Sequence, residues 1–217
     1  YLSEKYHIED ISIKIDKPRV RRKLPNILSI EEVNNLLDIE LNNAFDYRNK
    51  AMLELMYSSG LRVSELVDLK LKDIDLDNGY VKCFGKGNKE RTIYLNNACM
   101  KALSDYLSVR PKEGIKHDKK YSEKALFLSE RRERISNRTV QYIINKELSK
   151  AGLDCNKYSV HKLRHTAATL MYQYGQVDIR ALQELLGHES IATTEIYTHV
   201  SNDQIRDAVE KNPLANL

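Results

Sequence analysis

Tyr80-Val81-Lys82-Cys83-Phe84-Gly85-Lys86-Gly87-Asn88-Lys89-Glu90-Arg91-Thr92-Ile93-Tyr94-Leu95 is the stretch that reads as sheet in a chain that otherwise reads as helix. Residues 80–84 and 91–95 are rich in β-branched and aromatic side chains, and both runs flank a polar, glycine-containing centre from Gly85 to Glu90. Asp77-Asn78-Gly79 punctuates the chain just before. The reading is a small antiparallel hairpin with Lys86 at its tip. Gly85-Lys86-Gly87 lacks the Gly-x-x-x-x-Gly-Lys-Ser/Thr spacing and lies between strands rather than before a helix, so it does not read as a nucleotide-binding loop.

Outward from the hairpin the signals are helical. Ser29-Ile30-Glu31-Glu32 is a capping box, which predicts a helix from Ile30 to about Ile39. A second helix over Asp46 to Ser58 carries Ala51, Met52, Leu55 and Met56 on one face, and Gly60 ends it as a left-handed cap. Arg62 then begins the next short helix. After the hairpin come a helix from Asn97 to about Val109, closed by Pro111, and a charged loop from Lys112 to Lys124. Ser136 caps a helix from about Asn137 to Ala151, which Gly152 terminates. Shorter helical pieces follow: His161 to Tyr174, Asp178 to Leu186, a turn or helix bearing Tyr197, and Asn202 to Lys211 before Pro213. The fold class is mainly α with a small antiparallel β-sheet, α+β.

A chain of 217 residues is long enough for one generous core with a flanking arm. Net charge is only +4 with 30% charged residues, so a nucleic-acid surface would need segregated rather than excess charge. Cys83, Cys99 and Cys155 are odd in number and far apart, which argues against a disulfide framework and for a reducing, cytoplasmic setting. The sequence offers no apolar run of about 18 residues and no secretory pattern, so no membrane partner is expected.

Six side chains, Arg62, Lys86, His161, Arg164, His188 and Tyr197, carry the chemistry. Two arginines, a lysine and two histidines are what neutralising one phosphodiester and moving protons around it require, and a tyrosine completes the set as nucleophile. Each has a plainer reading. Arg62 and Glu65 are three residues apart and would make an ordinary helix salt bridge. Lys86 would be an exposed hairpin lysine, with Lys89 and Arg91 able to take its place. His161 and His165 recur at helical spacing as a metal pair would, but Lys162 and Arg164 stand where a zinc site would need a carboxylate and no positive charge, so no metal is expected. His165 is as readily structural as functional, and Tyr197 taken singly would be a packing tyrosine.

The blocks that hold these residues settle the matter when taken together: Ser59-Gly60-Leu61-Arg62-Val63-Ser64-Glu65-Leu66, Gly85 to Arg91, His161-Lys162-Leu163-Arg164-His165, Leu185-Leu186-Gly187-His188 and Thr194-Glu195-Ile196-Tyr197-Thr198-His199. In order and wording they closely resemble the catalytic domain of the tyrosine recombinase (phage integrase) family, of Xer type, from about Leu28 to the C-terminus. The resemblance implies site-specific DNA recombination. Tyr197 would attack the scissile phosphate to give a 3′-phosphotyrosyl link. Arg62, Arg164 and His188 would stabilise the phosphate oxygens, with Glu65 holding Arg62, and His161 and Lys86 would move protons. One ester replaces another of similar energy, so neither ATP, metal nor other cofactor is expected. Implied partners are double-stranded DNA with paired half-sites and a homo-oligomer, a tetramer, on that DNA. A type IB topoisomerase uses the same catalytic set and is the alternative enzyme; an idle DNA-binding module is the non-enzymatic one.

Residues 1–26 read as a basic linker that includes Arg19, Arg21, Arg22 and Lys23, either a solvated tether or a strap on the DNA backbone. Lys89 and Arg91 are further candidates for DNA contact. The chain opens on Tyr1 and not on methionine, which suggests a piece of a longer protein, and the family resemblance implies an N-terminal DNA-clamping domain outside it. Residues 27–200 are the expected catalytic domain. Residues 201–217 form a tail in which Ile205, Ala208 and Val209 make an apolar stripe, expected to pack on its own domain or to dock on a neighbouring subunit.

Overall fold

The computed structural model describes residues 27–85, 90–112, 124–175, 177–187 and Thr194. Helix α1 (Ile30–Leu37) starts from the expected capping box: the Ser29 N–H donates to Glu32 Oε2 at 2.7 Å and the Glu32 N–H donates to Ser29 Oγ at 3.1 Å. Helix α2 (Ala44–Ser59) begins two residues before the sequence signal because Asn43 caps it, accepting from the Phe45 and Asp46 N–H groups. Its Ala51, Met52, Leu53, Leu55 and Met56 are all buried, and α2 is the axis of the core. Gly60 ends it at φ +59°, in the left-handed region that Gly enters without a Cβ clash.

Helix α3 (Val63–Asp68) follows at once, with Arg62 as its N-cap residue. A 3₁₀ turn at Leu71–Asp73 leads into strand β1 (Ile74–Asp75), which pairs with β2 (Tyr80–Phe84), itself paired with β3 (Glu90–Tyr94). All pairings are antiparallel, in the order β1-β2-β3, with Val81 opposite Ile93 and Cys83 opposite Arg91. The first strand is two residues long, too short to leave an alternation in the sequence. Along β2 and β3 the pleat buries Val81, Cys83 and Ile93 and exposes Lys82, Phe84 and Tyr94. Arg91 shares the parity of Ile93 and therefore faces inward.

Helix α4 (Asn97–Val109), capped by Asn96, packs most extensively of all elements against α2. An irregular segment at residues 125–135 closes that side: Phe127 stacks on Tyr106 at 5.6 Å between ring centroids, and Arg110 Nε donates to the Leu126 carbonyl at 2.9 Å. Helices α5 (Asn137–Lys150), α6 (Val160–Tyr174) and α7 (Ile179–Leu186) complete the order. Ser136 and Asp178 cap α5 and α7, and Gly152 and Gly187 follow them in left-handed conformations. Helix α6 lies against α2 and carries α7 on its other flank. It is also tied to the start of the fold, since the Leu28 N–H donates to Thr166 Oγ1 at 3.0 Å. Helices around one small sheet are what the sequence patterning called for. Among the described residues no helix is long and apolar enough to cross a membrane.

Candidate active site

Four structural elements end or turn at one place: the C-terminus of α2, the N-terminus of α3, the inward face of β3 and the C-terminus of α7. Helix C-termini present unpaired carbonyl oxygens with a partial negative charge, and a guanidinium is a good partner for them. Arg164, on α6 and only 7% exposed, spans two such ends. Its Nη1 donates to the Gly60 carbonyl and its Nη2 to the Leu186 carbonyl, the latter at 2.6 Å. Arg62 approaches the next carbonyl along: its Nη2 stands 3.4 Å from the Gly187 oxygen. Gly60 and Gly187 are needed here for space as well as for φ. A Cβ on Gly60 would lie 2.7 Å from Leu186 Cδ2, and one on Gly187 would lie 2.9 Å from Arg91 Nη1.

Glu65 sits beneath these cations with a side chain 3% exposed. Its Oε1 accepts from Arg62 Nη1 and from Arg91 Nη1, both at 2.9 Å. Its Oε2 accepts the Arg62 N–H at 2.9 Å and Arg91 Nη2 at 2.8 Å. Burial pushes the Glu65 carboxyl up, but the hydrogen bonds and charge of Arg91 and Arg62 outweigh it and hold the group below the ordinary carboxylate range. Arg91 is raised in turn, its burial outweighed by Glu65. Cys83, opposite Arg91, has its thiol pushed up to about 11, chiefly by burial, so it stays neutral and cancels none of the positive charge. Three guanidinium groups against one carboxylate leave the cluster doubly positive, with Arg62, 36% exposed, as its accessible edge. Such a surface can grip a tetrahedral oxyanion with fixed donors.

The structure brings together Arg62, Glu65, Arg91 and Arg164. Glu65 holds Arg62, as the sequence suggested. Arg91, expected to meet DNA or to replace Lys86, has its fork turned inward on Glu65; its shared parity with the apolar Ile93 and Leu95 was the sequence signal for that. His161 is exposed on the first turn of α6 and His165 is half-buried one turn later, so the stripe with Arg164 runs from solvent into the core. The His165 imidazole is pushed below its usual value by burial first, then by Arg164 and His161. Among the described residues no group of three His, Cys, Asp or Glu side chains comes together. Arg19, Arg21, Arg22, Lys23, Lys86, Lys89, His188 and Tyr197 lie outside the described residues, as does the tail from residue 201. In the chain, His188 follows directly on Gly187.

The sequence pattern of the phage integrase family matches residues 26–204. The chain belongs to that family, the tyrosine recombinases. It is 54% identical over 202 residues to the tyrosine recombinase XerC of Caldanaerobacter subterraneus subsp. tengcongensis, covering 93% of this chain and 55% of that protein. It is 40% identical over 206 residues to the tyrosine recombinase XerD of Oceanobacillus iheyensis, covering 95% and 68% respectively. The chain thus spans about half to two thirds of the length of these relatives. Among solved structures, XerA recombinase superposes with a TM-score of 0.71 at 33% identity over 91% of this chain and 67% of its own. XerH site-specific recombinase, bound to palindromic difH substrate in a post-cleavage complex, superposes with a TM-score of 0.71 at 30% identity, over 87% and 54%.

The depressed Glu65 carboxyl has a consequence for stability. A carboxyl lowered by folding stabilises the fold above its unfolded value of about 4.3, and that contribution is lost as pH falls through the folded value. Glu65→Gln should therefore be less stable near pH 7, by about 1.5–3 kcal/mol for lost charge-assisted hydrogen bonds. It should also show a flatter decline below about pH 4.3. Denaturant titrations of both proteins from neutral to acid pH provide the check, and parallel curves would contradict the assignment.

Proposed function

We propose that this chain is the catalytic part of a site-specific DNA recombinase that cuts and rejoins strands through a tyrosine. The Tyr197 hydroxyl attacks the scissile phosphorus, a P–O bond to tyrosine forms, and the bond to the 5′ oxygen breaks. His161 takes the tyrosine proton and Lys86 gives one to the leaving 5′ oxygen, which departs as a hydroxyl. A tyrosine with an ordinary value of about 10 needs a positive surrounding to react near neutrality, which the arginine cluster supplies. Arg62, Arg164 and His188 hold the non-bridging oxygens, where a fixed donor is worth on the order of 10²- to 10³-fold in rate. Attack by a 5′-hydroxyl from a second duplex reverses the step and completes recombination, with no cofactor consumed.

One observation carries this reading: Arg164 on α6 and Arg62 at the cap of α3 donate to the consecutive carbonyls of Leu186 and Gly187, directly before His188 in the chain. Kinship with XerC, XerD and XerH supports the same activity. The test is a denaturing gel of the chain with a nicked duplex that traps the covalent product. The unaltered protein should give a protein–DNA adduct and Tyr197→Phe should give none while binding the duplex equally well. An adduct that survives the substitution would sink the assignment.

Lys86 is assigned as the general acid. A duplex with sulfur in place of the 5′-bridging oxygen loses a thiolate that needs no proton, so it should restore cleavage to Lys86→Ala. Rescue of Lys89→Ala instead would move the role to Lys89.

The working complex we propose holds paired half-sites of duplex DNA in a tetramer of this chain, in the cytoplasm. Residues 1–26, with Arg19, Arg21, Arg22 and Lys23, strap the DNA backbone on the way to an N-terminal domain, and Lys89 adds a further contact. Residues 27–200 are the catalytic domain, and residues 201–217 dock on a neighbouring subunit through Ile205, Ala208 and Val209. Removing residues 202–217 should abolish cooperative loading of two protomers on a two-half-site duplex, read by gel-shift titration, and leave the melting transition of the domain in place. Unchanged cooperativity would return the tail to its own core.

A further inference from the structure

Arg91 has no task in the reaction just proposed, yet both ends of its guanidinium fork are engaged. Its side chain is 13% exposed and both terminal nitrogens donate to Glu65. Arg62 gives the same carboxylate its backbone N–H and one guanidinium nitrogen. Two carboxylate oxygens offer about four acceptor sites, and these four donors fill them. We propose that Arg91 is a positioning residue for Arg62: by occupying one acceptor site on each Glu65 oxygen, it stops Glu65 from closing on both ends of the Arg62 fork. The second end of that fork is thereby left at the solvent edge beside Gly187.

The argument is one of competition for a buried charge. A carboxylate this buried must be answered by donors, because its lost hydration is otherwise uncompensated. Bidentate pairing through two parallel bonds is a favoured geometry of a guanidinium with a carboxylate. Arg91 has that geometry. Arg62, whose Nη2 rests at 3.4 Å from the Gly187 carbonyl, does not. Without Arg91, Arg62 is the nearest group able to neutralise Glu65, and it would turn from the Gly187 edge to pair through both ends of its fork. The site would keep its arginine and lose its reach. The strand makes the arrangement durable, because the pleat sets Arg91 opposite buried Cys83 on the face of buried Ile93, and Gly187 leaves room for its Nη1.

This inference rests on Arg62 being the residue that meets the scissile phosphate, and the experiment separates the two. With the nicked trapping duplex, Arg91→Gln should lower the cleavage rate on the order of 10²-fold with little change in duplex affinity, and Arg91→Lys should recover about tenfold of that loss. Because Arg91 acts through Glu65, adding Arg91→Gln to Glu65→Gln should slow cleavage no further. A drop in affinity with a salt dependence shallower by about 0.9 would overturn the proposal in favour of direct phosphate contact. So would a lowered melting temperature with an unchanged cleavage rate, which is what a purely structural pair would give. A readout independent of activity is the Arg62 Nε–H signal of DNA-free, ¹⁵N-arginine-labelled protein, assigned through Arg62→Lys. It should move in Arg91→Gln and stay near its original position in Arg91→Lys; a signal unmoved by Arg91→Gln overturns the positioning role. Failure of the unaltered chain to form any adduct would overturn the recombinase reading, and the Arg62 signal would still decide the case for Arg91.

Discussion

The Glu65 carboxylate is the constraint on which the rest of the site depends. It is nearly inaccessible to solvent, so its charge must be met inside the protein, and it is met from two directions: from its own helix start by Arg62 and from the sheet by Arg91. A buried charge with excellent geometry is seldom a large net gain in stability, because desolvation offsets most of the attraction. What it fixes is arrangement. Through one carboxylate the N-terminus of α3, the inward face of β3 and the turn after α7 acquire a common register, and no apolar contact would set the direction of two guanidinium planes in that way.

Helix ends supply the second half of the arrangement. The carbonyls of Gly60 and Leu186 belong to the C-termini of α2 and α7, where intrahelical partners run out. Arg164 satisfies both and is itself satisfied, which is how a guanidinium can lie 7% exposed at the edge of an apolar core. Both helix ends must come close for one side chain to span them. The closeness is visible in the glycines: at Gly60 an added Cβ would strike Leu186, and at Gly187 it would strike Arg91. The glycine that closes each helix is thus also what lets the arginines converge.

Much of this was legible in the sequence, and the legible part has a local cause. The Ser29 capping box, Gly60 as a left-handed stop, Ser136 and Gly152 around α5 and the hairpin strands all rest on interactions spanning a few residues, which a linear pattern records. Membership of the family was legible from ordered blocks running from Ser59 to His199. What escaped was set by distance or brevity. Strand β1 is two residues long and owes its existence to β2. Residues 125–135 have no periodicity, and their place comes from Tyr106 on α4 and Arg110 at its C-cap. In the linear sequence Arg91 is a candidate for DNA contact or for the place of Lys86. Its alternation with Ile93 pointed the other way, and the structure follows the alternation.

The same local balance explains how a chain with a net charge of only +4 can concentrate positive charge at one point. Three guanidinium groups gathered in one cluster would repel one another if left to themselves. Here each is held by an oxygen of the protein: Arg91 by Glu65, Arg164 by the Gly60 and Leu186 carbonyls, Arg62 by Glu65 and, at the long distance of 3.4 Å, by Gly187. The donors are thus oriented before any anion arrives, and little reorganisation is left for the moment of binding. The bonds are graded. Those of Arg91 and Arg164 are short and buried, whereas the contact of Arg62 to Gly187 is long and at the surface. An arriving oxyanion therefore finds its least costly exchange at Arg62, while the buried bonds keep the other cations oriented.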